Sequence, residues 1–122
     1  QARERQVIAD VAGADLKPSL ATIDLSQAGT AMGIRDLATV DGEPSRLLLL
    51  IGPATGEGGP YAFADYDVAD GWLGPVSPLA TPAAGKAEAV LLVDRLATKA
   101  KLLFLHDGVA NGAPTMDILA LH

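Results

Sequence analysis

Five consecutive aliphatic residues, Leu47-Leu-Leu-Leu-Ile51, run directly into Gly52-Pro53. A run this apolar does not suit a surface, and at this length it is too short for a buried helix. It reads as a β-strand buried on both faces, which demands a sheet with cover on either side. No apolar stretch in the chain is longer, and this is far short of the roughly 20 residues needed to cross a bilayer as a helix, so membrane insertion is not expected.

The rest of the 122 residues is punctuated by thirteen Gly and eight Pro, many for a helical bundle, which implies a chain that turns often. Apolar residues make up 49%, so intrinsic disorder is excluded. Only Tyr61, Phe63, Tyr66, Trp72 and Phe104 are aromatic, which leaves the core to Leu, Val, Ile and Ala.

Several segments between the turn signals read as strands: Gln6 to Val11, Ala21 to Leu25, Gly33 to Val40, Tyr61 to Val68, and Leu102 to His106. Asp41-Gly42, Asp70-Gly71 and Asp107-Gly108 are the turns that close three of them. The stretch Ala84 to Lys101 is ambiguous. Val90, Val93, Ala97 and Ala100 recur at helical spacing, and read alone it leans to helix.

A comparison within the chain moves that stretch to strand. Gly33-Ile-Arg-Asp-Leu-Ala and Gly85-Lys-Ala-Glu-Ala-Val share a glycine, two residues, an acid and two apolar positions. Each then passes through a polar interruption into an apolar run, Leu47 to Ile51 and Leu102 to Leu105. The leading glycines are 52 residues apart, close to one β-propeller blade of roughly 40 to 50 residues. The expected fold is therefore all-β and β-propeller-like, about two blades plus part of a third. The repeat units are 33–84 and 85–122, with 1–32 as the tail of a preceding blade.

In this order, Gly33 to Ala38, Leu47 to Pro53, Gly59-Pro-Tyr-Ala-Phe63, Lys86-Ala-Glu88 and Leu102 to Gly108 resemble bacterial domain-of-unknown-function family 3616. The likeness covers roughly Ala21 to Gly108. It departs at Met32, where a basic residue is usual, and at Ala89, where a glycine commonly follows. The resemblance implies a propeller broadly similar to phytase-like and esterase-like propellers, and a bacterial source with a periplasmic or extracellular setting ahead of a cytoplasmic one. A closed propeller needs at least four blades, so the remaining blades are expected from an upstream segment, ahead of other copies of the chain. The chain does not begin with Met, which fits a piece of something longer. Gln1 to Arg5 is polar and charged, unlike a signal peptide.

The formal charge of −6 and scattered basic residues exclude nucleic acid as a partner. With no cysteine, disulfides, thiolate metal sites and a Cys nucleophile are excluded. No Gly-x-Ser-x-Gly elbow occurs, which argues against a serine hydrolase. Gly52 to Pro60 is glycine-rich but lacks the Gly-Lys-Ser/Thr ending of a phosphate loop, so it reads as a connection.

Four charges stand out. Arg35, Asp36, Lys86 and Glu88 begin the two repeats, and in a propeller they would line the central channel. Alternation along a strand would put Lys86 and Glu88 on one face. They are the candidate ligand-binding set, and Asp36, Glu88 and His106 are the candidate catalytic groups. The plainer reading is an ion pair between Arg35 and an acid of the neighbouring blade. His106 lies beside Asp107, but neighbours on a strand face opposite sides, so a backbone-bonded histidine is expected. Asp65, Asp67 and Asp70 lack calcium-loop spacing, and no metal site is assigned.

Three functions follow in order: a non-catalytic ligand- or partner-binding scaffold; a metal-assisted hydrolase using Asp36, Glu88, Arg35 and Lys86, for which calcium would be the cofactor; and a structural assembly subunit.

Overall fold

Asp41 and Gly42 form a two-residue turn in which Gly42 takes a φ of +78°, joining β1 (Met32–Val40) to β2 (Glu43–Pro53). Ala97 and Thr98 join β6 (Lys86–Leu96) to β7 (Lys99–Asp107) in the same manner. Two-residue connections of this kind hold antiparallel neighbours in fixed register. The chain is seen here as a computed structural model, which describes residues 20–55, 60–79 and 85–121.

Those residues are all-β and make two open antiparallel sheets. The first runs β1-β2-β3, where β3 is Ala62–Asp67, with the short β4 (Trp72–Leu73) and β5 (Ser77–Pro78) both on the far side of β3. The second runs β6-β7-β8, where β8 is Thr115–Ala120. The stretch that leaned to helix is, over its described residues 85–101, strand β6, the Ala97-Thr98 turn and the start of β7. Its spacing imitates a helix because register shifts bracket Glu88 and Val93 and break the two-residue alternation, and because the turn separates Val93 from Ala100.

The sheets pack face to face. Leu48, Leu50 and Phe63 of the first sheet and Val90, Leu102 and Phe104 of the second are all buried in one cluster. The Phe63 and Phe104 rings meet at 5.5 Å with a 43° tilt, a favourable aromatic arrangement. Leu49, Ile51, Ala62, Ala64 and Tyr66 face the other way, where Ile23, Leu25, Ala28 and Met32 cover them. The Leu47 to Ile51 run is thus buried on both sides, as its composition demands.

Ala21 to Leu25 differs from expectation. It places Ile23 and Leu25 toward the sheet, as alternation suggests, but pairs with no strand. The Asp24 carboxylate instead accepts the Ser26 amide at 2.9 Å and turns the chain into a 3-10 turn at Ser26–Ala28. The expected strand Gln6 to Val11 lies outside the described residues, as does part of the Gly52 to Pro60 connection.

The internal echo holds with a one-residue adjustment. In β1 the register slips at Arg35, between Ile34 and Asp36, and in β6 it slips at Glu88, between Ala87 and Ala89. These bulges are 53 residues apart, so the structural counterpart of Arg35 is Glu88, where the glycines alone suggest Ala87. Anchored on the bulges, Asp36 corresponds to Ala89, Ala38 to Leu91 and Leu48 to Leu103. Asp36, Ala38 and Leu48 lie on the face of the first sheet that meets the second, whereas Ala89, Leu91 and Leu103 lie on the face of the second that points away. The sheets therefore stack head to tail.

The charged seam and the candidate binding groove

The two bulges bring the sequence-selected charges together. A bulge re-aims a side chain out of the regular alternation, and Arg35 uses this to pair with Glu88 across the sheets. Arg35 also donates to the Pro53 carbonyl at 3.3 Å. Asp36, the next residue, accepts the Val90 amide at 2.9 Å. Val90 belongs to the edge strand β6, so Asp36 satisfies an edge amide that would otherwise need water or another strand.

Lys86 stands opposite Asp107 in the β6–β7 register. The expectation that Lys86 and Glu88 share a face fails because the bulge at Glu88 removes the alternation between them. Of the four selected charges, three hold the two sheets together: Arg35, Asp36 and Glu88.

His106 is buried, and its Nδ1–H donates to the Ala113 carbonyl at 3.0 Å, while neighbouring Asp107 is exposed. The backbone-bonded histidine is what the strand geometry predicts. Ala113 itself sits at φ +34°, so a left-handed turn delivers its carbonyl to the ring.

A second charged seam escapes the sequence reading. Arg46 donates to Asp65 Oδ2 at 2.9 Å, with Asp65 only 1% exposed. Arg46 Nε lies 3.5 Å from Glu43, and Arg95 of β6 reaches the same Glu43 oxygen at 2.9 Å. Arg95 also donates to the Asp41 carbonyl at 3.1 Å. The chain of charges Asp65–Arg46–Glu43–Arg95 thus ties the β1–β2 turn to the second sheet. Gly74 is obligatory beside it: its amide donates to the Asp65 carbonyl at 2.8 Å, and any Cβ there would collide with the Asp65 carboxylate. The signals were an arginine directly before an apolar run and an acid inside an otherwise apolar strand.

Between the Asp36–Val90 bond and the Arg95–Asp41 bond lies a groove of about 730 Å³. Its walls are Leu37, Ala38 and Thr39 of β1 and Leu91, Leu92 and Val93 of β6, with Asp41 and Asp94 at the rim. Both strands are sheet edges, so their outward backbone groups form no ladder among the described residues. No group of three or more His, Cys, Asp or Glu suited to a metal occurs among the described residues, and no helix there is long and apolar enough to cross a membrane. The chain matches no protein-family model, no curated protein and no solved structure.

Proposed function

We propose that this chain is a non-catalytic binding scaffold, two successive blades of a β-propeller-like stack that takes an extended, peptide-like ligand in the groove between β1 and β6. The observation that carries this reading is the head-to-tail relation of the two sheets. Successive propeller blades present the front of one to the back of the next, with their first strands innermost. Here β1 and β6 are the first strands, and the groove runs between them. The order of motifs similar to family 3616 agrees with the same architecture.

The choice of a scaffold over a hydrolase rests on how the charges are used. Asp36 accepts a backbone amide, and Glu88 is paired with Arg35. A hydrolytic role for either would require it to leave a contact that joins the sheets. The groove offers strand edges, which an extended chain recognises by main-chain hydrogen bonds. Asp41 and Asp94 at its rim favour basic side chains on that ligand.

The test is a titration of the isotope-labelled chain with a blocked alternating Val-Lys octapeptide, followed by amide chemical shifts. Shifts confined to Leu37–Thr39 and Leu91–Val93 are expected, and they should vanish when proline replaces valine in the peptide. Shifts absent from those residues would refute the groove. Turnover of phosphate or carboxylic esters, with or without calcium, would refute the non-catalytic assignment.

A further inference from the structure

The second sheet has an outer face that nothing in the described chain covers. Leu91, Met116 and Ile118 are 47%, 46% and 62% exposed there, with Leu103 and Leu105 between them on the central strand. The bulge residue Val93 adds to it at 52%. Over the first four residues of β8 the usual polarity is reversed, Met116 and Ile118 pointing outward and Thr115 and Asp117 lying on the side of the buried Leu102 and Phe104, before Leu119 enters the core. Solvent-facing strands alternate with polar residues outward, so this strand is patterned for a covered outer face.

Register points the same way. The outer face of the second sheet is the counterpart of the face with which the first sheet binds the second. Lys101 occupies the place of Arg46, and Leu103 that of Leu48. The first sheet uses that aliphatic centre to hold a neighbouring sheet, with Arg46 beside it paired to Asp65 of its own sheet.

We infer that this face is a docking surface for a second copy of the chain, the two copies meeting second sheet to second sheet about a two-fold axis. A head-to-tail contact between copies would need the far face of the first sheet, which Ile23, Leu25, Ala28 and Met32 already cover. The remaining way for two copies to bury the patch is with itself, an isologous contact that closes at two. Charge allows it. The chain is −6 overall, yet Lys86, Asp94, Lys99, Lys101 and Asp107 give this face a net charge of +1, from three lysines against two aspartates. Asp94 and Lys101 are neighbours across β6 and β7, so a two-fold axis between them sets each lysine near the partner's aspartate. Leu91, Val93, Met116 and Ile118, all about half exposed or more, form with Leu103 and Leu105 a contiguous apolar patch of the kind that marks an interaction surface. This inference shares Leu91, Val93 and Asp94 of β6 with the groove, so it is tested at Met116 and Ile118 of β8, which are not among the residues lining the groove.

Sedimentation equilibrium of the full chain decides it. The expected result is a species of twice the 12.5 kDa chain mass, with association weakened at least tenfold, toward monomer, in Ile118→Glu. Met116→Gln, milder at another exposed position, should shift the equilibrium in the same direction while keeping the wild-type circular dichroism. A monomer at every concentration would overturn the inference and assign the face to a sheet from a different polypeptide. An open-ended series of larger species, or a dimer unmoved by both substitutions, would overturn it equally.

Discussion

The two sheets share a bulged first strand, a tight turn and a central aliphatic strand, yet among the described residues one is covered on both faces and the other on one. In the first, Leu48 through Ile51 are buried without a break. In the second, β7 buries Ala100, Leu102, Phe104 and His106 and leaves the residues between them partly or fully in water. The two strands read alike, since Leu102-Leu-Phe-Leu105 is as apolar as Leu47 to Ile51. A continuous apolar run therefore reports how a strand is meant to be covered. How much cover is present depends on segments elsewhere, here residues 23–32 for the first sheet.

The largest test of this contrast deletes a side chain on each face of the second sheet. Phe104→Ala should cost about 3–5 kcal/mol, because it empties the shared core opposite Phe63. Ile118→Ala, measured at a concentration where the chain is monomeric, should stay within about 0.5 kcal/mol. Urea denaturation gives both numbers, and similar losses would mean that the outer face is already covered within one chain.

Next come the register counterparts Arg46 and Lys101. Asp65→Ala removes the hydrogen-bonded partner of Arg46 and leaves it only Glu43 at 3.5 Å, which should cost about 1–3 kcal/mol. Replacing the pair together, Asp65→Leu with Arg46→Met, should recover much of that loss, since two well-packed apolar groups remove the buried charges. Lys101→Ala should change stability by no more than about 0.5 kcal/mol in the monomer. A large effect at Lys101 would show that the second sheet carries a comparable anchored network.

The first-strand charges sharpen the comparison further. Asp36→Ala removes the acceptor for the Val90 amide and should cost about 1–2 kcal/mol, with faster hydrogen exchange at Val90. Arg35→Gln and Glu88→Gln break a pair whose side chains are 20% and 37% exposed, so each should cost less than about 1 kcal/mol. If Glu88→Gln proved the more damaging, the bulge pair rather than the amide cap would be the main clamp between the sheets.

These residues also mark how far the sequence could be read. β1, β2, β3 and β7 were legible because each pairs an apolar run with a turn residue of defined geometry. β8 was not, because its polarity is inverted, and an outward Met116 and Ile118 beside an inward Asp117 resemble no half-exposed strand. The echo of Gly33 and Gly85 was legible, but its true offset was hidden, since Gly33 lies two residues before its bulge and Gly85 three, and a bulge leaves no compositional trace to align on. An ion pair between Arg35 and an acid of the neighbouring unit was the plainer reading of the sequence, and the stacking of the sheets identifies that acid as Glu88, 53 residues away. The Asp65–Arg46 pair stayed hidden for the same reason: burial of an acid is a property of the assembled sheets.

The smallest predicted effect concerns the segment that gives the first sheet its second cover. The Ser26 backbone amide, followed by the Ser26 side chain, bonds the Asp24 carboxylate and holds its pKa below the ordinary 3.8. The ionised form is thus favoured in the folded chain. A carboxylate with a depressed folded pKa contributes stability that is fully present above its unfolded value and is lost as pH falls through the folded one. Asp24→Ala should therefore lower the unfolding midpoint slightly at neutral pH, and the gap from wild type should close below the ordinary carboxylate range. Asp24→Asn keeps an acceptor for the Ser26 amide without a charge, so it should fall between the two at neutral pH and show no acid-dependent change of its own. A gap that stays constant from neutral to acid pH would mean that the turn at Ser26–Ala28 is held by Ile23 and Leu25 packing on the first sheet, with no contribution from the Asp24 charge.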